Sequence, residues 1–294
     1  MKKYVCSTSP SLVFLPKAKF ETVLEFLVDR FPQVSKDLWL DRMSRGKVSF
    51  QDGELVDETT AYRWECKLQY FREVEEEKEI PFHETVLYED EHIIIADKPH
   101  FLPVHPAGQF IEQTLLSRLQ KKLDLPELVC AHRLDRMTAG LIILCKKEKT
   151  RALYNQLFQD CAIKKTYEAI GLTPESGEKS WLIQNRLVES DPWFLMKASD
   201  QGKVNSESFI EIIDERDGLA KFRLEPKTGK KHQLRVHMLC LGSAILNDLF
   251  YPKLYPAGED DYDKPMQLLA RRLEFIDPVT GEERQFESQL SLLW

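Results

Sequence analysis

Asp135 lies between Arg133 and Arg136, directly before Thr138-Ala139-Gly140 and the apolar run Leu141-Ile142-Ile143-Leu144-Cys145. A carboxylate so placed has two readings. It makes a structural ion pair or caps a turn, or its arginines hold it ionised as a nucleophile. The residue type suits the second role. Its reference pKa of about 3.9 leaves it anionic at neutral pH, and unlike serine or lysine it needs no adjacent base to expose a lone pair. Other familiar chemistries are missing. Thr228-Gly229-Lys230-Lys231 carries Gly-Lys but lacks the earlier glycine of a phosphate loop. No dinucleotide-binding glycine pattern occurs. His232 and His237 have no third ligand at metal spacing, so no metal is expected.

The elements that must position Asp135 follow from hydrophobic periodicity. The run after it predicts a buried strand, as do His92–Ala96, Thr166–Leu172, Ser208–Ile213 and Ala220–Leu224. Helical spacing appears at Leu153, Tyr154, Leu157 and Phe158, and at Leu234, Met238 and Leu241 before Gly242. Strands without regular strand–helix alternation predict an α+β fold with a mixed or antiparallel sheet. Near the start, Phe20, Val23, Leu24, Leu27 and Val28 predict a helix ended by Phe31-Pro32. A second helix is capped by Ser35 and closed by Arg45-Gly46-Lys47. Short strands at Val48–Phe50 and Lys67–Tyr70 flank a turn at Asp52-Gly53. The acidic stretch Glu73-Val74-Glu75-Glu76-Glu77-Lys78-Glu79 ending at Pro81 predicts a linker. The expected division is 1–72, a linker over 73–81, and 82–294.

With 43% hydrophobic and 30% charged residues, the 294-residue chain has a globular composition and no apolar stretch long enough to span a membrane. Met1-Lys2-Lys3 resembles the start of a secretory leader, but Ser7, Thr8, Ser9 and Pro10 interrupt any apolar core, so no targeting segment is expected. Six cysteines show no C-x-x-C spacing. Cys130, Cys145 and Cys240, in apolar surroundings, are expected to be reduced core thiols in a cytoplasmic protein. The net charge of −7 argues against a nucleic-acid partner. Its distribution argues the other way: Lys221–His237 holds six Lys/Arg against Glu225 alone. Lys146–Lys165 is similarly basic, which predicts one basic face.

The segment His132-Arg133-Leu134-Asp135-Arg136-Met137-Thr138-Ala139-Gly140-Leu141 resembles the signature of the RluA-type RNA pseudouridine synthases. Four more matches follow that family's order. They are Glu89-Asp90-Glu91 through Lys98-Pro99 to Leu102-Pro103-Val104-His105-Pro106; Lys164-Lys165-Thr166-Tyr167-Glu168-Ala169; Pro226-Lys227-Thr228-Gly229-Lys230-Lys231-His232-Gln233-Leu234-Arg235-Val236-His237; and Leu268-Leu269-Ala270 with Leu273, Phe275 and Pro278. Residues 1–72 resemble the alpha-L RNA-binding module, with Gly46-Lys47-Val48 at its turn. This chain departs from the family at Met137, Ala139, His100-Phe101 and Lys231.

The resemblance implies a pseudouridine synthase catalytic domain acting on a uridine of ribosomal RNA or tRNA; because that isomerisation gains no atoms or electrons overall, no cofactor or metal is expected, and a monomer is the default expectation. It implies Asp135 as nucleophile, Tyr167 stacked on an extruded uracil, and Arg235 paired with Asp135. Arg133 would fill the space the base leaves or contact the backbone, with Arg136, Lys165, Lys230 and Lys231 on the RNA. Lys164 is a further candidate for the phosphate path. His132 and His232 are read as structural hydrogen bonders. Three first steps remain open: attack at C6 of the base, attack at C1′ of the sugar, or action at C2′. Two rival readings are an inactive RNA-binding or assembly protein and a nucleoside or glycoside hydrolase; a two-carboxylate glycosidase would need a second acid.

Overall fold

The computed structural model describes residues 4–7, 10–256 and 258–294. The reading that no leader is present rests partly on Met1–Lys3, Thr8 and Ser9, which lie outside the described residues. The chain divides into two compact units, Met1–Lys78 with Pro106–Glu112, and Glu79–His105 with Gln113–Trp294.

In the first unit, β1 (Val5–Cys6) pairs with β5 (Glu73–Val74), and β2 (Ser11–Leu15), β4 (Cys66–Tyr70) and β3 (Val48–Phe50) form an antiparallel sheet. Helix α1 (Val23–Arg30) starts where the Thr22 hydroxyl accepts from Glu25 N. Helix α2 (Lys36–Ser44) starts where Ser35 accepts from Leu38 N. After α2 the chain turns at Gly46, whose φ of +66° favours glycine. Leu24, Leu27, Trp39, Val48 and Leu68 meet in one core. Composition alone assigns Glu73–Val74 to a linker; the structure makes it a strand, with Glu73 buried.

The second unit is built on a sheet that accounts for its remaining strands. These are β6 (Thr85–Glu89), β7 (Ile93–Lys98), β8 (Val129–Cys130), β9 (Ala139–Cys145), β10 (Lys164–Leu172), β11 (Ser180–Glu189), β12 (Met196–Ser199), β13 (Ser206–Arg216), β14 (Leu219–Pro226), β15 (Leu268–Ile276) and β16 (Glu283–Glu287). The path runs β12-β11-β13-β14-β10-β15-β9-β7-β6, with β16 on β15 and β8 on β9. Every pairing is antiparallel except β15 with β9, so the fold is α+β with a mixed, mostly antiparallel sheet. Helices α3 (Leu115–Leu123), α4 (Glu148–Gln159) and α5 (Gln233–Cys240) complete it. Among the described residues no helix is long and apolar enough to cross a membrane.

Strand β9 is buried along its whole length, which explains its unbroken apolar run. Its parallel partner approaches closely at Gly140, where φ is +111° and a Cβ would lie 2.3 Å from the Ala270 carbonyl oxygen. Glycine there lets β15 sit beside the strand that Asp135 precedes. Helix α5 is a core helix, buried from Gln233 through Met238. Two expectations need correction. Cys240 is exposed and Cys130 only partly buried, whereas Cys145 is in the core. Half of the six cations in the 221–237 run are paired across the sheet: Lys221 with Glu168, Arg223 with Glu211 and Lys227 with Glu207.

Candidate active site

Asp135 stands in the turn between β8 and β9, closed by Thr138 N donating to the Asp135 carbonyl (3.0 Å). Its side chain is 25% exposed, and Oδ2 accepts from Arg235 Nη1 at 3.0 Å. Among the described residues Oδ1 accepts no hydrogen bond, so one oxygen is anchored and the other remains available. Arg133 and Arg136, the neighbours in sequence, do not supply the anchor; Arg235 does, from one hundred positions away on α5.

Arg235 is itself locked. Its Nε and Nη2 donate to Asp248 Oδ2 (2.7 Å) and Oδ1 (2.6 Å), a two-pronged arginine–carboxylate pair. Asp248 is fully buried, and its Oδ1 also accepts from Phe250 N (2.8 Å). The Phe250 and Tyr251 rings lie 4.8 and 5.2 Å from the guanidinium carbon. Burial works to lower the Arg235 pKa, but the hydrogen bond and charge of Asp248, then Asp135, outweigh it and leave it raised. The cation is therefore permanent, and only its Nη1 arm reaches Asp135.

His232 opens α5 in a left-handed conformation (φ +54°). Its Nδ1 lies 2.9 Å from the Tyr251 hydroxyl, and its Nε2 lies 3.8 Å from Asp135 Oδ2. Burial lowers its pKa to about 4, so at neutral pH this is a neutral imidazole near a carboxylate and not an ion pair. His132 accepts from Ile143 N (3.0 Å), stacks on Phe158 and is pushed by burial to about 3. Tyr167, on β10, is partly buried; burial first, then the charge of Asp135, raises its hydroxyl pKa and keeps it neutral.

The turn after Asp135 is held from beneath. Lys98 is fully buried, and its Nζ donates to the carbonyls of Pro99 (3.0 Å), Leu102 (2.9 Å) and Arg136 (3.2 Å). Burial lowers its pKa to about 7, against the pull of Asp135. His100 Nδ1 donates to the Met137 carbonyl at 2.7 Å, so two of the positions that depart from the family pattern are partners. Phe101, beside them, adopts φ +66° and packs against Phe82 and Tyr262.

These groups open on a cavity of about 600 Å³, within the usual range for a small-molecule or nucleotide site. Asp135, Tyr167, Arg235, Arg133, Lys165, Lys230 and Lys231 all line it. Arg133 is exposed and has no side-chain hydrogen bond or ion pair among the described residues. Lys165 is buried in the wall, donating to the Thr228 carbonyl (3.0 Å), with its pKa lowered by burial. That corrects its expected place on an open phosphate path. Arg136 does not line the cavity; its guanidinium forks onto Asp260 at 2.7 and 2.8 Å. Lys164 faces Glu274 instead (3.5 Å). Lys230 and Lys231 remain exposed at the rim, in a turn shaped by Gln233. Its Oε1 accepts from Lys230 N (3.0 Å) and Thr228 Oγ1 (2.7 Å). Sequence reasoning missed Asp248, Lys98 and Gln233. Gln233 and Lys98 lay inside quoted motifs; Asp248 lay in none.

Comparison with known proteins gives a consistent result. The family model of RNA pseudouridylate synthases matches residues 92–239. An uncharacterized RNA pseudouridine synthase of Synechocystis is 29% identical over 231 residues, spanning 78% of this chain and 79% of that protein. The ribosomal large subunit pseudouridine synthase D of Pseudomonas aeruginosa is 31% identical over 226 residues, spanning 71% and 69%. Among solved structures, human RNA pseudouridylate synthase domain containing 4 aligns with a TM-score of 0.56 at 25% identity, covering 70% of this chain and 88% of that one.

Proposed function

The chain belongs to the RNA pseudouridylate synthase family, of the RluA type, and from that premise we propose that Asp135 is its nucleophile, acting on a uridine flipped out of ribosomal RNA or tRNA. The isomerisation breaks the C1′–N1 bond, turns the uracil and forms a C1′–C5 bond. A proton leaves C5 and one arrives at N1, so no atoms or electrons are gained overall. A carboxylate able to act at the sugar or the base is the group this chemistry needs. The observation that carries the reading is that Asp135 is anchored through one oxygen by Arg235 while its other oxygen is unengaged, in a cavity shared with Tyr167. An anchored carboxylate meets the reacting carbon without first reorganising.

The other roles are proposed from the family resemblance, with which this geometry is compatible. Tyr167 offers a neutral ring for the extruded base; aromatic stacking of this kind contributes about 1–3 kcal/mol per base. Arg133, unpaired at the cavity edge, is the side chain available to fill the gap in the stack or to meet the backbone. Lys230 and Lys231 supply positive charge to neighbouring phosphates, so affinity falls as salt rises. Arg136, held by Asp260, contributes to the shape of the turn. Residues 1–72 are read as a module that holds RNA outside the reacting nucleotide.

The test is to map pseudouridines in ribosomal RNA and tRNA from cells lacking the protein, then restore either the natural chain or Asp135→Asn. The natural chain should return a defined set of pseudouridines and the variant none. Restoration of the full set by the variant would remove Asp135 as nucleophile.

A further inference from the structure

Trp193 is the most exposed large apolar side chain among the described residues, at 72%. It sits in the loop between β11 and β12, and that loop is not a free tip. Ser190 N donates to the Leu195 carbonyl (3.0 Å) and Leu195 N to the Pro192 carbonyl (2.9 Å). Phe194, next in sequence, packs on Phe250 at 5.6 Å, and Phe250 lies against the Arg235 guanidinium. Where the loop runs into β12, Met196 N donates to the Tyr251 hydroxyl (2.8 Å), the same hydroxyl that meets His232. The loop that presents Trp193 is thus fastened to residues packed around Arg235.

One cation lies against the ring, although Asp191 is two residues away in the same loop. Lys231 Nζ lies 5.4 Å from the Trp193 ring centroid, and Lys231 lines the cavity that holds Asp135. Among the described residues Lys230 and Lys231 have no carboxylate partner, unlike Lys221, Arg223 and Lys227 on the neighbouring strand and turn. An indole held open to solvent beside the ammonium group of Lys231 is matched to a ligand with a flat π-face and a phosphate. An apolar protein surface would leave that lysine desolvated and unpaired.

We propose that Trp193 and Lys231 form a stacking platform for an unpaired RNA base adjacent to the target uridine, Trp193 taking the base and Lys231 its phosphate. The assignment rests on the reading of the cavity as the uridine site. It gives this protein a contact outside the cavity that grips a flanking nucleotide once the target is extruded.

The experiment uses the full-length protein and a single-stranded oligouridylate of about ten residues, within the length such surfaces engage. Trp193→Ala should raise the Kd by roughly 5- to 150-fold, the range expected for loss of one stacked base. Trp193→Phe should stay within about threefold, since a ring remains. Lys231→Ala should weaken binding and lower the slope of log Kd against log salt by about 0.7, the value for one phosphate contact on a single strand. Thermal melting of each variant should match the natural chain, because the ring is exposed. Unchanged binding in Trp193→Ala, or an equal loss in the Ala and Phe variants, overturns the platform. Asp135→Asn should bind the oligonucleotide normally and be inert. If it turns over, the nucleophile assignment fails and the platform stands; if it is inert while Trp193→Ala binds normally, the platform alone fails.

Discussion

Each unit of this protein contains an arginine–carboxylate cluster, and the two differ in what they leave unsatisfied. In the first unit, Arg42 and Arg45 converge on buried Glu73, and Arg45 also holds Asp41 at the surface. Arg45 donates to both oxygens of Glu73 (2.6 Å each), and Arg42 lies 3.6 Å from one of them while donating to the Glu73 carbonyl. Glu73 is 2% exposed, and no oxygen is left over. In the second unit, two acids share one cation. Arg235 is fully committed to Asp248 on one edge and reaches Asp135 with its remaining arm. The surplus negative charge lies at the cavity on the partly exposed carboxylate. The first arrangement closes a fold; the second leaves an acid oriented but unsatisfied, which is what a nucleophile requires. Ion chemistry alone does not separate the two clusters, but the exposure of the central acid does: 2% for Glu73 against 25% for Asp135.

The widest gap should open between the two acids. Asp135→Asn should cut turnover by at least about 10³-fold with little change in thermal melting, because an amide keeps the shape and removes the proposed nucleophile. Pseudouridine formation and melting measured on one preparation check this; a large loss of stability with substantial turnover would break the comparison. Glu73→Gln should do the reverse. Removing one charge from a buried pair costs roughly 3–5 kcal/mol, read by urea unfolding of the first unit, while the single-turnover rate on bound RNA stays near normal. Asp248→Asn should fall between: about 10- to 100-fold slower chemistry, mostly in kcat, since Arg235 would still reach Asp135 but in a looser geometry. An effect confined to KM would assign Asp248 to RNA binding instead.

The smallest effect concerns protons. His100, His132, His232 and His237, all in the second unit, have pKa values pushed by burial from about 6.5 to between about 3 and 4. Between these values the unfolded chain binds more protons than the folded one. The stability they support is therefore complete above about pH 6.5 and is lost as pH falls toward 4. Denaturant midpoints recorded across that window should drop with acid, and His132→Gln should flatten the slope by about one proton. A midpoint independent of pH from 6.5 to 4.5 would mean that these rings are not neutral in the folded protein.

Much of the frame was legible in the sequence because it depends on local rules. Ser35 caps α2 and Gly46 follows its end because capping and left-handed turns are decided within a few residues. The apolar run after Asp135 is a buried strand because its length and lack of alternation leave few other structures. Helix α3 was also within reach, since Leu115, Leu119 and Leu123 recur at helical spacing. The long strand β11 was harder, because half-exposed positions blur its alternation.

What the sequence by itself determined was the set of chemically able residues in their order: Asp135 before its strand, Tyr167 on β10 and Arg235 on α5. Beyond the Arg235–Asp135 pair that the resemblance implied, tertiary structure decided which charges meet. The arginines adjacent to Asp135 turn elsewhere, Arg136 to Asp260 and Arg133 to the cavity edge, while Asp248 secures the one that matters. Half of the cations in the basic run at 221–237 pair with acids on β10 and β13. Helix caps and strand runs are settled by neighbours along the chain, whereas ion pairs are settled by which strands lie side by side and in what register. Sheet pairing brings together residues tens to more than a hundred positions apart, a distance over which composition and spacing carry no information.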